Sequence, residues 1–143
     1  MLVDEIADPD AVSPAEVRAE YEASLATIVE DVGVDTAAAE TSVPETALET
    51  LRSGGEPELT VEQAAELLAL SDAYPDADAF VLEIRDSVML GMSSAVMDVD
   101  SMEANLPIDM EARDIQQKIE GRQDMTLAEY AHIAHHIATE NPY

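Results

Sequence analysis

Apolar residues recur at helical spacing along this chain, and capping signals bracket each run. Ser13-Pro14-Ala15-Glu16 opens the first run with a serine N-cap, a proline at the first helical position and a glutamate placed to close a capping box. Val17, Tyr21, Leu25, Ile28 and Val32 then form one stripe as far as Gly33, which should end the helix, while Glu16, Glu22 and Glu30 are assigned to the wet side. Val29 falls off the stripe and is expected to meet another element. A short helix should run from Asp35 to Thr41, capped by Asp35, before Ser42-Val43-Pro44 turns into a third helix that ends at Ser53-Gly54-Gly55. After the loop Glu56-Pro57-Glu58, Thr60-Val61-Glu62-Gln63 repeats the capping-box pattern, and Val61, Ala64, Ala65 and Leu68 form the inner face of a fourth helix.

Tyr74-Pro75-Asp76 marks a break between halves. Beyond it, Phe80, Val81, Leu82, Ile84, Val88, Met89, Leu90, Met92, Ala95 and Val96 predict a helix over roughly 76–97 that is apolar on most sides and therefore central. Five of the seven methionines lie between Met89 and Met110, where adaptable thioethers suit an irregular seam between halves or between subunits. A short helix follows Asp100, with Glu103 at its capping-box position. After a break at Leu106-Pro107, a helix is expected from Asp109 to Glu120, with Gly121 as its C-cap. Thr126-Leu127-Ala128-Glu129 is the clearest capping box of all and starts a last helix that ends near Thr139.

Two stretches repeat one device. Leu48, Leu51 and Gly54 followed by Leu59-Thr60-Val61 are echoed by Ile115, Ile119 and Gly121 followed by Met125-Thr126-Leu127, while Val34-Asp35-Thr36 is echoed by Val99-Asp100-Ser101. The period of about 65 residues predicts an all-α protein of about eight helices. Two divergent helix-turn-helix-like repeats, residues 1–74 and 75–143, would pack around the central helix as one compact unit.

Read in order, Ala38-Ala39-Glu40-Thr41-Ser42-Val43-Pro44-Glu45-Thr46-Ala47-Leu48-Glu49-Thr50-Leu51-Arg52-Ser53-Gly54 resembles the Cro and phage-repressor helix-turn-helix family. There a short helix holding a small residue precedes a tight turn and a recognition helix, here carrying Leu48 and Leu51, and Leu59 through Leu70 looks like the family's next helix. The resemblance covers roughly residues 30–74 and 97–139. The second copy departs from it, with two more residues between Asp100 and Gly121 than separate Asp35 from Gly54, and with Lys118 in the place of Leu51. As a whole the chain also looks like a haloarchaeal family of uncharacterised small acidic proteins.

The resemblance implies that the third helix of a repeat enters the major groove while flanking groups hold phosphates. In the first copy those exposed positions are Glu45, Thr46, Glu49, Thr50 and Arg52, a poor set for phosphate. The second offers Arg113, Gln116, Gln117, Lys118 and Arg122, so it is the candidate DNA contact: glutamine pairs with adenine and arginine with guanine. The plainer reading is that Arg113, Lys118 and Arg122 pair with Asp109, Glu111, Asp114 or Glu120.

Charge changes the picture further. Against 32 Asp and Glu stand five Arg and the single Lys118, for a net charge of -26, although 47% of residues are apolar and can supply a core. Residues 108–143 hold seven acids and three bases, so most of the excess lies in the first 107. This balance, with one Phe, four Tyr and no Trp, resembles the proteins of extreme halophiles. In molar salt the Debye length falls to about 3 Å, which screens the self-repulsion, so folding is expected to need high salt. Acidic mimicry of nucleic acid is the rival explanation of the charge.

With no cysteine, disulfides, thiolate nucleophiles and cysteine metal sites are excluded. Met1-Leu2-Val3-Asp4-Glu5 lacks the basic region and apolar run of a signal peptide, and no apolar stretch approaches the roughly 20 residues of a membrane span, so a soluble cytoplasmic protein is expected. Glu129, His132 and His136 share one face of the last helix and form a weak candidate site for zinc or another divalent ion. Their spacing is not that of the two-histidine zinc-protease motif, and with no phosphate-binding glycine loop and no nucleophile elbow, neither an enzyme nor a cofactor is expected. The leading expectation is a non-enzymatic regulatory or adaptor protein of the helix-turn-helix type. The alternatives are a protein-interaction module, which could be a homodimer, or an acidic mimic.

Overall fold

The computed structural model describes residues 1–73 and 76–141, so the predicted break at Tyr74-Pro75 lies outside the described residues. Those residues form eight α-helices: α1 Pro14–Val32, α2 Val34–Glu40, α3 Glu45–Arg52, α4 Val61–Leu68, α5 Ala77–Ser94, α6 Val99–Asn105, α7 Ala112–Glu120 and α8 Leu127–Glu140. Two short 3-10 turns, Val3–Glu5 and Pro9–Ala11, precede them. No helix among the described residues is long and apolar enough to cross a membrane.

The capping residues set most boundaries. The Ser13, Thr60 and Thr126 side chains accept from the backbone N-H three residues on, and Glu16, Gln63 and Glu129 return the bond to the cap residue's own N-H. Two caps differ from expectation. Helix α2 begins behind Gly33, not under Asp35, and has no side-chain cap; α6 is capped by Asp98, whose carboxylate accepts from Ser101 N. Glu103 therefore does not cap its own helix. It reaches across to accept from Ala112 N at 2.9 Å, which satisfies the first turn of α7 and pins α6 to it.

Helices α3 and α7 end alike. Gly54 and Gly121 take left-handed backbone, φ 84 and 81, and the next N-H reaches back to a carbonyl of the last turn, Gly55 to Thr50 and Arg122 to Gln117, both at 2.8 Å. The loops that follow pair with each other: Thr60 and Thr126 form an antiparallel bridge in which Val61 N donates to Met125 O and Leu127 N to Leu59 O. The segments α3–α4 and α7–α8 are thus two helix–loop–helix units joined at their loops.

One hydrophobic core runs through both units, and its centre is α8. Leu127, Tyr130, Ile133, Ala134 and Ile137 are inaccessible, and α8 packs on α1, α5 and α4. Helix α1 is buried on two sides, since Val29 joins Leu25 in the core and Glu22, expected on the wet side, is only 6% exposed. Arg18 explains this: its guanidinium bonds Glu22 at 3.3 Å and the Pro57 carbonyl at 3.1 Å, so the charge enters the interior paired. Burial still pushes the Glu22 carboxyl above its usual range, against the opposing pull of Arg18.

Helix α5 is not central, contrary to the sequence expectation. Phe80, Val81, Ile84 and Val88 enter the core, but Leu82, Met89 and Leu90 on its other side face solvent. Its inner side comes very close to α8: a Cβ on Gly91 would meet Ile137 Cγ2 at 2.6 Å, so only glycine fits there. Arg85 ties α5 to both units, pairing with Glu62 of α4 at 3.1 Å while its guanidinium lies over Gly121.

Candidate functional site

The basic residues singled out in the second repeat are largely engaged with neighbours. Lys118 points inward from α7, with its side chain 14% exposed and its ammonium 2.5 Å from Glu129 Oε2. That carboxylate also accepts from Thr126 N, so one glutamate closes both the cap of α8 and the ion pair to α7. Gln116 donates to Glu120, which also pairs with the exposed Arg122 at 3.5 Å. Gln123 bonds both Gln117 and Asp114. Arg113 is exposed and has no ion pair among the described residues. Helix α7 therefore carries Arg113, Gln116, Gln117 and Lys118, while Arg122 follows its Gly121 cap; of the three cations only Arg113 and Arg122 are exposed to solvent, and Arg122 already has an acidic partner.

The metal candidate does not assemble. No group of three or more His, Asp or Glu side chains among the described residues lies close enough to hold an ion, and the Glu129 carboxylate is taken up by Lys118. His135 has a structural role: its Nε2 lies 2.8 Å from the Pro9 carbonyl and 2.7 Å from that of Val12, so it donates to this pair and fastens the N-terminal segment to α8. The same segment is held by Val3 N donating to Ser87 Oγ at 2.8 Å and by the Tyr130 hydroxyl donating to the Met1 carbonyl. His132 Nδ1 is buried without a hydrogen-bond partner, and burial, reinforced by His135, lowers that imidazole's pKa.

A cavity of about 380 Å³ opens between the N-terminal segment and α1, walled by Ile6, Val12, Val17 and Leu68 with Glu5, Glu20 and Tyr21 at its polar edge. The Tyr21 hydroxyl is buried there without a partner, and burial, helped by Glu5 and Glu20, holds the phenol far above its ordinary range, so it stays neutral.

The surface that stands out is the outer side of α5. Leu82, Met89 and Leu90 lie seven and one positions apart on one exposed arc, at 60, 47 and 69% exposure. Beyond the helix end, Val96 is 91% exposed and holds φ at 53, the one non-glycine residue among those described with a positive φ. It occupies the left-handed position of the helix end, since Met97 N donates to Met92 O at 3.0 Å. Glycine is the usual occupant, and a β-branched residue there is a genuine outlier. Met89, Met92, Val96 and Met97 line a shallow groove that continues to Val99, with Asp98 and Gln116 at its edge. Of the methionines expected at a seam, Met102 and Met110 are core, while Met89, Met92 and Met97 line this surface.

A family model described as a family of unknown function (DUF5791) matches residues 17–140, and the chain belongs to that family. No curated protein and no solved structure gave a match.

Proposed function

We propose that this member of the family is a non-enzymatic adaptor that acts through protein contact, with the outer face of α5 and the adjoining methionine groove as its contact surface. The observation that carries this reading is the exposure of Leu82, Met89, Leu90 and Val96 together on one side of a chain with net charge -26. Burying one such side chain is worth about 1.5–3 kcal/mol, so a surface that leaves several in water forgoes stability that a partner can recover. Flexible methionines suit such a surface because they adapt to the shape placed on them.

DNA contact through a helix-turn-helix-like second repeat is the second reading, and the exposed, unpaired Arg113 is what favours it. It has less support than protein contact, because Lys118 is held inside by Glu129 while Gln116 and Arg122 share Glu120. Acidic mimicry is weaker still, since it leaves the apolar face without a purpose. The halophile-like composition suits an adaptor working in molar salt, where apolar contacts persist and phosphate attraction fades.

The test is recovery of bound macromolecules at molar salt by the tagged wild-type chain, by Leu82→Ser/Met89→Ser/Leu90→Ser, and by Arg113→Glu/Arg122→Glu. The adaptor reading expects a protein partner that the α5 variant loses and the α7 variant keeps. DNA recovered with the wild type and lost with the α7 variant would replace it by the second reading.

A further inference from the structure

We propose that the partner seated on this surface is a basic amphipathic helix, with apolar side chains in the groove and lysines or arginines over its carboxylate rim. The proposal rests on the protein-contact reading and names the chemistry of the occupant. Three observations converge on it.

The first is shape. Leu82, Met89 and Leu90 lie along the exposed side of α5, and from Met89 the groove runs past Val96 to Val99, so apolar anchors on a straight partner helix at i, i+3, i+4 and i+7 meet apolar side chains on either side of Asp86. The second is charge. Asp86 stands inside the stripe, four residues after Leu82 and three before Met89, with Glu83 beside it; both are exposed, and Asp98 lines the far end. The basic residue of α5, Arg85, is turned inward to Glu62. A second copy of this chain would bring the same carboxylates and little to neutralise them, because Arg18, Arg52, Arg85, Lys118 and Arg122 are already paired within the chain. Like-charged rims oppose each other, whereas a basic helix matches this one.

The third is backbone strain. Val96 adopts a left-handed conformation that suits glycine, yet its side chain is almost wholly in solvent and adds nothing to the core. A valine kept where it strains the chain and packs against nothing is accounted for by what it touches when the groove is filled.

A fluorescent synthetic helix with leucines on one face and lysines on the other, titrated by anisotropy in stepped salt, tests the proposal, with a leucine/glutamate helix of the same pattern as control. At the lowest salt that keeps the chain folded, the lysine peptide should bind and the glutamate peptide should bind at least about tenfold more weakly, with the gap narrowing as salt rises. Val96→Gly should weaken lysine-peptide binding by about tenfold while raising the melting temperature, because it removes both the strain and the contact without touching a carboxylate. Asp86→Lys/Asp98→Lys should lose binding as well. Equal binding of both peptides, or lysine-peptide binding unchanged in Val96→Gly and Met89→Ser, overturns the basic helix as occupant. Self-association of the wild type in sedimentation, abolished by Leu90→Ser, overturns it in favour of a second copy and leaves the contact surface standing. If neither peptide binds and the α5 triple variant keeps its cellular partner, the contact reading fails together with the occupant.

Discussion

Thr60 and Thr126 face each other across the middle of the molecule, and each also caps the helix that follows it. The bridge bonds, Val61 N to Met125 O at 2.8 Å and Leu127 N to Leu59 O at 2.7 Å, engage the N-H of the first residue of α4 and of α8, a donor that no bond inside the helix satisfies. Cap and bridge together lock the two helix–loop–helix units into one body. Thr60→Ala and Thr126→Ala should each cost about 1 kcal/mol in chemical denaturation, and values near zero would mean that the bridge holds the helix starts without their caps.

Lys118 is structural in this account. Its ammonium and the Glu129 carboxylate sit 2.5 Å apart with side-chain exposures of 14 and 21%, so reversing the charge sets two carboxylates together where water screens them poorly. Lys118→Glu should lower unfolding free energy by about 2 kcal/mol, discounted for the exposure that remains, while Arg113→Glu should change it by less than about 0.5 kcal/mol. Equal effects would place Lys118 on the surface. The contrast also explains why a charge-reversal test of DNA binding should use Arg113 and Arg122.

His132 makes stability depend on pH. Burial and the neighbouring His135 hold its imidazole below the ordinary value of 6.5, so the folded chain binds fewer protons than the unfolded chain just below that pH. The stability its neutral form supplies is full above about pH 6.5 and is lost as pH falls through the lower folded value. Between about pH 8 and pH 5, wild type should therefore lose more stability than His132→Leu, whose difference from wild type reports this residue apart from the carboxylates. A constant difference across that range would exclude the effect.

Self-repulsion at net charge -26 should make folding depend on salt. Far-UV circular dichroism should show helical signal rising from dilute buffer toward molar sodium chloride, where the screening length is about 3 Å. Full helicity in dilute buffer would show that the core alone carries the fold.

Much of the fold was legible because it is written in local signals. Ser13, Thr60, Thr126, Gly33, Gly54 and Gly121 mark helix ends through their own backbone chemistry, and each acts where its sequence context says it should. The candidate site was less legible because it depends on what lies across the chain. Lys118 reads as a surface base until Glu129 is seen beside it, Glu22 reads as solvated until Arg18 and Pro57 enclose it, and His135 gives no sign of the Pro9 and Val12 carbonyls. The apolar density of α5 was plain in the sequence, but periodicity alone could not tell a central helix from one that buries Phe80, Val81, Ile84 and Val88 and leaves Leu82, Met89 and Leu90 in solvent.

The central claim is that the outer face of α5 is a protein contact surface, and the methionine methyl groups report on it directly. In ¹³C-methyl spectra recorded on adding the protein recovered with the wild-type chain, Met89, Met92 and Met97 should shift or broaden. The buried Met102, Met110 and Met125 should hold their positions. Unmoved resonances at Met89, Met92 and Met97 in the presence of bound partner would contradict the claim.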